Sequence, residues 1–482
     1  MVAPKRSWSK SGNSSARFLE KGPSPAATFE FERRLQELSR ELCRRTAEVA
    51  YNASEPANPE EAPHFVEQGG ATYRRLNTTT ANRHVATLFG KITLDRRGYR
   101  DVERDSGEAT IFPLEMALGL IEGATPALAC EAARALAETG ATQQTVLARL
   151  RREYGVEWGV KKLRAVAEQI SVAMSPLQRE HQARRVVEWL RQAQAQRGSG
   201  KPVLAVGRDG ITLCTRPHRF CEVATTGTIT VHDRRGKRLG TVYLAYVPEL
   251  GQDTMTEELT ALIREVLRQW DGPLPRLSYI TDAGDSEVKY FRHVLRKMRH
   301  PVTGKRLDWQ WIVDFYHAST RLHTMGAALF GEGREAFAWA QRMAKLLKKP
   351  NGVFRVLHAA AAMKAQRMLT KPAKKQFQTA YNYLRDRSRH MQYAEFKRLR
   401  LPIGSGVTEA ACKTVFTQRL KLSGMTWGKP GAQTILNLRV ILLSGLWEDI
   451  YTALLATLPL PRIVTPTSSS PITQRKPRRM CA

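Results

Sequence analysis

Three short apolar runs, each with an aspartate at or near its end, constrain the fold of this chain more than any other feature. The runs and their aspartates are Lys201–Leu213 with Asp209, Leu277–Thr281 with Asp282, and Trp309–Val313 with Asp314. Runs of this length and composition are typical of buried strands. They predict a sheet that presents acidic side chains where its strands end.

The elements between these runs complete the pattern. Two more strand-like runs, Cys221–Thr230 and Leu239–Val247, follow the first run, and an amphipathic helix, Thr254–Trp270, precedes the second. Helices follow the second and third runs. The order β-β-β-α-β-α-β-α is that of an α/β RNase H-like core, a mixed five-stranded sheet with flanking helices. Residues 318–400 predict an all-helical insertion with a basic surface.

In that fold the first and fourth strands are neighbours, so Asp209 and Asp282 are predicted to lie close together. A later helix supplies a third acid, and Glu409 in the first turn after GSGVT is the candidate. Two Mg²⁺ ions, or Mn²⁺ in their place, stabilise the entering and leaving oxygens of a phosphodiester and take carboxylate ligands. Asp209, Asp282 and Glu409 are therefore the predicted catalytic and metal-ligating residues.

Each of these acids also has a purely structural interpretation. A strand-end aspartate is commonly a turn former or a helix cap, and Glu409 can complement the helix dipole or pair with Lys413. Asp285 competes with Asp282 within the sequence DAGD. We favour Asp282 because it ends the strand directly, whereas Asp285 has the position of an N-cap.

Asp314 and His317 are predicted accessory residues in the sequence DFYH. Their i,i+3 spacing places both on one side of a helix start. Either Asp314 caps the helix with His317 packed beside it, or both residues border the active-site end of the sheet.

The charge of the chain indicates its partner. Its 482 residues include 76 Lys and Arg against 45 Asp and Glu, a formal charge of +31. A solvated surface does not need that excess, which attracts polyanions. Double-stranded DNA is the predicted partner, although ribosome-associated and membrane-surface proteins share this composition.

The six cysteines and the N-terminus indicate the cellular compartment in which the protein is expected. The cysteines are scattered and form no CxxC pair, which argues against a disulfide framework and against a zinc ribbon or finger. Met1–Gly22 has no apolar core of a signal peptide, and no apolar run approaches the ~20 residues of a membrane span. We expect a cytoplasmic, nucleoid-associated protein and no membrane partner.

The rest of the chain is predicted to handle DNA. The predicted core comprises residues 201–317 and 401–458. Before it we predict a disordered basic arm at 1–28, a helix and loop at 29–83, a hairpin and helix-turn-helix-like region at 84–175, and a linker helix at 176–200. After it we predict a disordered basic tail at 459–482. The hairpin is centred on Gly90-Lys91. The basic residues predicted to bind DNA in the helical region are Arg149, Arg152, Lys161 and Lys162. A small helical bundle with a solvated basic face has the same pattern.

Together these motifs resemble the DDE transposases of bacterial insertion sequences, in the Kra-type group related to the Mutator-like superfamily. The resemblance covers roughly residues 85–450. The motifs that carry it are GRDG, ITDAGD, DFYH and GSGVTEAACK, then Arg419, Lys421, SGM and Trp427. That superfamily has a [C/D]xxH signature in a helical insertion between its second aspartate and its glutamate, where this chain has Asp314 and His317.

The resemblance implies binding of inverted repeats, strand cleavage, and transfer of a 3′-hydroxyl into target DNA. It also implies DNA contacts by Lys413, Arg419, Lys421 and Trp427. Trp427 can stack on an unpaired base or anchor the last helix in the core, and we favour the core anchor. Two DNA ends must be brought together, so we expect a homodimer or larger. The zinc-ribbon-like segment of many relatives has no counterpart, because residues 101–112 contain no cysteine.

Two alternatives stay open at this stage. A nuclease or junction resolvase of the same fold has the same acids, but it needs neither the long N-terminal region nor the insertion. A transposase-derived DNA-binding regulator has the same basic surface, but it does not need an intact set of acids.

Overall fold

The structure is a computed structural model that describes residues 18–20, 22–76, 83–103, 110–217 and 220–464. It is a mixed α/β chain in which helix predominates. The chain divides into two compact units. Unit 1 comprises Met1–Ala132, Gln143–Val166 and Leu455–Ala482, and unit 2 comprises Ala133–Thr142 and Ala167–Leu454.

The strands are β1 Phe65–Gln68, β2 Ala71–Arg75, β3 Arg83–Thr87, β4 Gly90–Leu94, β5 Tyr99–Asp101, β6 Val203–Arg216, β7 Phe220–His232, β8 Arg238–Tyr246, β9 Arg276–Thr281, β10 Trp309–Val313, β11 Trp427–Gly428 and β12 Arg462–Val464. The helices are α1 Pro25–Asn52, α2 Pro113–Ala117, α3 Pro126–Ala137, α4 Gln143–Tyr154, α5 Val160–Ala195, α6 Asp253–Gln269, α7 Asp285–His293, α8 Phe315–Phe330, α9 Arg334–Leu347, α10 Gly352–Ala365, α11 Lys371–Asp386, α12 Tyr393–Arg398, α13 Gly406–Ala411, α14 Gln418–Leu420, α15 Lys429–Leu443 and α16 Trp447–Thr457. A π-helical segment, Cys412–Thr417, joins α13 to α14.

Unit 1 contains a four-stranded antiparallel sheet in the order β12-β1-β2-β5. Two predictions were wrong here. Part of the predicted helix-and-loop segment at 29–83 forms β1 and β2, and the predicted tail at 459–482 includes β12. Strand β1 pairs with Arg462–Val464, which lie near the other end of the sequence. Such a long-range pairing cannot be predicted from the local sequence pattern.

A second antiparallel pair, β3 with β4, lies in the same unit. Its turn is at Leu88-Phe89 rather than at the predicted Gly90-Lys91, and the residues near 100 pair with β2 instead. The turn position fits the burial pattern, because Val85, Ile92 and Leu94 then face one small core.

Helix α1 begins earlier than predicted. Pro25 is its first residue, and the Ser24 hydroxyl accepts a hydrogen bond of 3.1 Å from the backbone N–H of Ala27. The predicted basic arm therefore ends before Pro25. Residues 1–17 and 465–482, where most of the predicted arm and tail fall, lie outside the described residues.

The predicted boundary before a linker helix at 176 was also wrong, because α5 continues through Pro176 without a break. Its buried apolar residues recur on both sides of that proline, including Ile170, Met174, Ala183 and Val186. This continuous buried stripe keeps the helix intact despite the missing N–H.

The large sheet of unit 2 has the order β10-β9-β6-β7-β8. Strand β7 pairs antiparallel with β6 and β8, whereas β6, β9 and β10 are parallel. The short strand β11 pairs with the end of β6 and gives the sheet a sixth strand, one more than predicted. Its two residues are too few for a strand pattern to show in the sequence.

Helices cover both faces of this sheet. Neighbouring residues of a strand point to opposite faces. Gly227 faces Met255 of α6, whereas the hydroxyl of Thr228 lies 2.8 Å from that of Thr408 in α13. The buried residues of the sheet form one core with α6 and with the helices of residues 318–400, which are α8 to α12.

One disulfide is present, although the scattered cysteines predict no disulfide framework. Cys214 and Cys221 are directly opposite each other in the β6–β7 register, with Cα atoms 4.0 Å apart, and they form a disulfide. Their separation of seven in sequence does not reveal this, because the pairing depends on the hairpin register.

No single described helix is both long and apolar enough to cross a bilayer. One sharply bent pair, Lys429–Leu443 with Trp447–Thr457, meets the length and composition of a span when its two helices are taken together.

His232, at the end of β7, predicts a loss of stability in acid. The side chain is 7% exposed. Burial, with added repulsion from Arg238, lowers its pKa to about 4, against the opposing effect of Asp233. The unfolded chain binds the proton more readily, since an ordinary histidine has a pKa of about 6.5. The stabilising contribution is therefore complete above that pH and is lost as pH falls towards 4.

We expect the wild-type protein to lose about 2 kcal/mol through this group between pH 7 and pH 4.5. Urea unfolding of wild type and His232→Leu at both pH values measures it. The difference in unfolding free energy between the two proteins changes by that amount in favour of the variant at low pH. A constant difference would contradict the assignment.

Candidate active site

Three aspartates lie at one level of three adjacent parallel strands: Asp209 within β6, and Asp282 and Asp314 directly after the ends of β9 and β10. Gly207 of β6 is opposite Ile280 of β9, so the same register places Asp209 level with Asp282. Thr281 of β9 is opposite Val313 of β10, and the backbone N–H of Asp314 donates to the Thr281 carbonyl at 2.8 Å. Parallel strands are about 4.8 Å apart, so Asp209, Asp282 and Asp314 form a row across the sheet end.

The loop that carries Asp282 is held from two sides. One Asp282 carboxylate oxygen accepts the Gly284 N–H at 3.0 Å, and the Tyr383 hydroxyl donates to the Asp282 carbonyl at 2.7 Å. Ala283 has φ of 63°, in the left-handed region that is uncommon for a residue with a Cβ. Such a conformation persists only where surrounding contacts enforce it, and it is concentrated at functional sites.

Glu409, on helix α13, adds a fourth acid to this row and lies beside Asp314 and His317. Nδ1 of His317 lies 3.4 Å from a carboxylate oxygen of Asp314 and 3.4 Å from one of Glu409. One ligand atom from each of the three residues lies within 4.8 Å of the other two, a spacing that suits a metal ion. Ser405 connects Glu409 to Asp314. Its hydroxyl donates to Glu409 at 2.7 Å, and its backbone N–H donates to Asp314.

Asp209 lies beside Cys412, the residue that follows α13 and stands about one helical turn after Glu409. The thiol of Cys412 lies 3.4 Å from an Asp209 carboxylate oxygen. Residues three apart share a helix face, so Cys412 and Glu409 both face the sheet end. Burial raises the pKa of Asp209, and the negative charges of Asp282 and Glu409 raise it further. Asp282 and Glu409 therefore both contribute electrostatically to the raised pKa of Asp209.

Asp314 and His317 form an ion-pair-like contact beside these acids. Burial opposes ionisation of Asp314, but hydrogen bonds from His317 and Ser405 outweigh it and lower the pKa of the carboxyl. Contact with Asp314 raises the pKa of His317, and the charges of Glu409 and Asp282 add to the effect. The sequence left open whether these residues cap a helix or border the site. Asp314 does cap α8, accepting the His317 N–H at 2.7 Å, and both lie beside Glu409.

The arrangement concentrates hard oxygen ligands at one place. Asp209, Asp282, Asp314 and Glu409 offer carboxylates, and His317 adds one imidazole nitrogen. Clustered acids without compensating basic residues repel one another, and divalent cations relieve that repulsion.

No protein-family model and no curated protein sequence matches this chain. What the site does is therefore inferred from its own geometry.

The sequence analysis missed Glu287 in α7. Its side chain is 8% exposed, and burial raises its pKa to about 7, with contributions from the charges of Asp282 and Asp209. A signal was present: Glu287 precedes Tyr290 and Phe291 by three and four positions, which places it on the buried face of the helix. Glu287 is a further acid close to the row.

The predicted DNA-binding residues of unit 1 lie on α4 and α5. Arg152 and Lys161 are exposed, while Arg149 and Lys162 are half-buried. Three of the four contact acids: Arg149 and Arg152 lie 3.0 and 2.8 Å from Glu153, and Lys162 lies 3.1 Å from Glu122. These pairs reduce the positive potential available to a phosphate backbone.

The predicted DNA-binding residues of unit 2 separate into two groups. Lys413 and Lys421 are exposed. Arg419 is fully buried and donates to the Leu136 carbonyl at 2.6 Å, so the structure does not offer it to DNA. Trp427 is half-buried, and its ring N–H donates to the Leu420 carbonyl at 3.0 Å. These contacts place Trp427 against the chain itself, as expected of an anchoring residue.

Proposed function

We propose that this chain is a DDE-type DNA transposase with an RNase H-like core, which cuts DNA at inverted repeats and transfers the resulting 3′-hydroxyl into target DNA. The observation that carries the proposal is the placement of Asp209 and Asp282 at one level of adjacent parallel strands, with Glu409 about one helical turn before Cys412, whose thiol lies 3.4 Å from Asp209. Phosphodiester transfer by two metal ions needs such a group of acids.

The order of the large sheet supports this assignment. Its first three strands along the chain, β6 to β8, form an antiparallel meander, and β9 and β10 add parallel strands on the other side of β6. An RNase H-like core has that arrangement. Five helices then precede Glu409, which fits a transposase with a DNA-handling insertion better than a minimal nuclease.

The residues fit the divalent metal that this chemistry needs. Mg²⁺ takes carboxylate oxygens and retains several waters, and the row offers carboxylate oxygens with one imidazole, that of His317, beside Asp314 and Glu409. Asp209, Asp282 and Glu409 are the residues we propose to hold the ions, with Mn²⁺ as a substitute that the His317 imidazole also suits. When bound, such ions stabilise charge on the attacking and leaving oxygens.

The residues around the row position its acids. Ser405 donates to both Glu409 and Asp314, so it fixes the distance between the helix and the strand end. Tyr383 restrains the loop that carries Asp282. His317 Nδ1 lies 3.4 Å from both Asp314 and Glu409, so a protonated imidazole there offsets the repulsion between the two acids. The exposed Lys413 and Lys421 are available to bind the phosphates of double-stranded DNA.

The test uses the purified protein and the DNA that flanks its coding region. A labelled duplex containing that flank is incubated with Mg²⁺, and a supercoiled plasmid is the target. We expect cleavage at an inverted repeat that leaves a 3′-hydroxyl, joining of that end to the plasmid, and loss of both products in EDTA. Cooperative synapsis of two ends by a homodimer or larger assembly is expected in native gels.

The same assay separates the alternatives. Cutting without joining, or a preference for four-way junctions, would identify a nuclease or resolvase. Binding of the flank without any cutting in Mg²⁺ or Mn²⁺ would identify a transposase-derived regulator. Either result replaces the proposal.

A further inference from the structure

An arginine-lined groove follows β10, the edge strand of the large sheet. It lies between β10, α7 with the turn after it, and the end of α11. Its volume is about 960 Å³, far more than one phosphate group fills. Five arginines line it: Arg292, Arg296, Arg306, Arg387 and Arg389.

The groove has a net positive charge, because five arginines and three aspartates line it. Arg292, Arg296 and Arg389 are exposed, and within the described residues no carboxylate lies within 4.0 Å of any of them. The lining also includes three acids, but Asp386 is engaged by Arg385 at 2.9 Å. A surface that only needs to be solvated pairs its charges more evenly, as Arg398 does with Glu395 at 2.6 Å.

A half-buried histidine lies among these arginines. His390 lines the groove with its ring 4.2 Å from that of Trp311. Burial, with added repulsion from Arg292, Arg389 and Arg296, lowers its pKa to about 4. All three arginines line the same groove, so their charges add to one positive field.

The groove adjoins the loop that carries Asp282. Arg387 donates to the Ala283 carbonyl at 3.1 Å, and Asp285 of the same loop is part of the lining. A chain of phosphates bound along β10 would thus pass directly beside the row of acids. The aromatic floor, Phe291, Trp309 and Trp311, is buried, so the accessible groups are guanidinium groups rather than stacking surfaces.

We propose that this groove binds the phosphate backbone of the DNA duplex next to the phosphodiester that is cut, independently of base sequence. The proposal rests on the proposed function, since it identifies how substrate DNA is held at that site. Guanidinium groups bind phosphates by paired hydrogen bonds, and such contacts fix the register of a duplex without reading its bases.

The test compares two triple variants with the same change in total charge. The groove variant is Arg292→Gln/Arg296→Gln/Arg389→Gln. The matched control is Arg184→Gln/Arg191→Gln/Arg398→Gln, whose arginines contact Glu180, Asp271 and Glu395. Fluorescence anisotropy with a labelled mixed-sequence duplex gives Kd over a series of KCl concentrations, and thermal unfolding verifies that each variant is folded.

We expect the groove variant to bind more weakly at low salt. The slope of log Kd against log salt should fall by about 2 to 3, because each phosphate contact contributes about 0.9. The control should keep a slope close to that of wild type. Equal slopes for the two variants would overturn the proposal. So would competition by polyglutamate equal to that by DNA, which would indicate an acidic protein segment, or by inorganic phosphate at low millimolar concentration, which would indicate a small-anion site.

The two proposals can fail separately. If the flanking DNA is cut and joined but the groove variant behaves like its control, only the groove assignment is lost. If no cutting is found but the groove variant loses its salt slope, the groove remains a DNA site and the proposed chemistry is lost.

Discussion

Asp282→Asn is expected to lower the rate of DNA cutting about 1,000-fold and to leave DNA affinity nearly unchanged. The substitution removes a charged oxygen from the centre of the row and keeps the side-chain size. A lost metal ligand removes several kcal/mol of transition-state stabilisation, and each 1.4 kcal/mol or so is a factor of ten in rate. Single-turnover cleavage of the flanking duplex measures the rate, and anisotropy in EDTA measures the affinity.

Asp285→Asn is the matched control. Asp285 lies in the same loop and carries the same charge, but it is exposed at the start of α7, beyond the level of Asp209. Asp285 also lines the arginine groove, and since the loss of a negative charge there does not weaken phosphate binding, we expect the variant to keep most of the wild-type rate. Equal losses in the two variants would mean that loop charge alone matters, and full activity of Asp282→Asn would remove the acid row from the mechanism.

The row of acids could be predicted because its signals are local. Asp282 and Asp314 each follow an apolar run directly, and parallel strands in one sheet end at the same edge. Glu409 could be proposed from the glycines before its helix. The contact of His317 with both Asp314 and Glu409 could not, because it depends on how residues 401–405 dock against the start of α8, where Phe315 donates to the Ile403 carbonyl at 2.9 Å.

Burial of charged groups was the least predictable property. Arg419 and Arg439 are fully buried, and their guanidinium groups donate to the backbone carbonyls of Leu136 and Ala137, 283 and 302 positions earlier. A sequence shows an arginine as a surface cation unless its distant partners are known. For that reason Arg419 was predicted to bind DNA.

The second large effect is expected from Gly207→Ala. Gly207 lies in β6 two residues before Asp209, and a Cβ there would overlap the Thr408 hydroxyl and lie 2.8 Å from that of Thr228. Thr408 immediately precedes Glu409, so relief of the overlap must move α13 away from β6. A displacement of about 1 Å between catalytic groups costs on the order of 100-fold in rate. Overpacking costs a further 1–3 kcal/mol or so of stability.

Two further variants make this prediction specific to the contact between β6 and α13. Gly431→Ala adds the same methyl group in α15 with no heavy atom within 4 Å, so we expect unchanged activity and a gain of about 0.5–1 kcal/mol in unfolding free energy. Gly207→Ala/Thr408→Ala removes the hydroxyl that the new methyl group meets, and it should recover part of both losses. If Gly207→Ala alone cuts DNA at the wild-type rate, then Glu409 does not depend on this contact for its position. The spacing between strand and helix would then play no part in assembling the site.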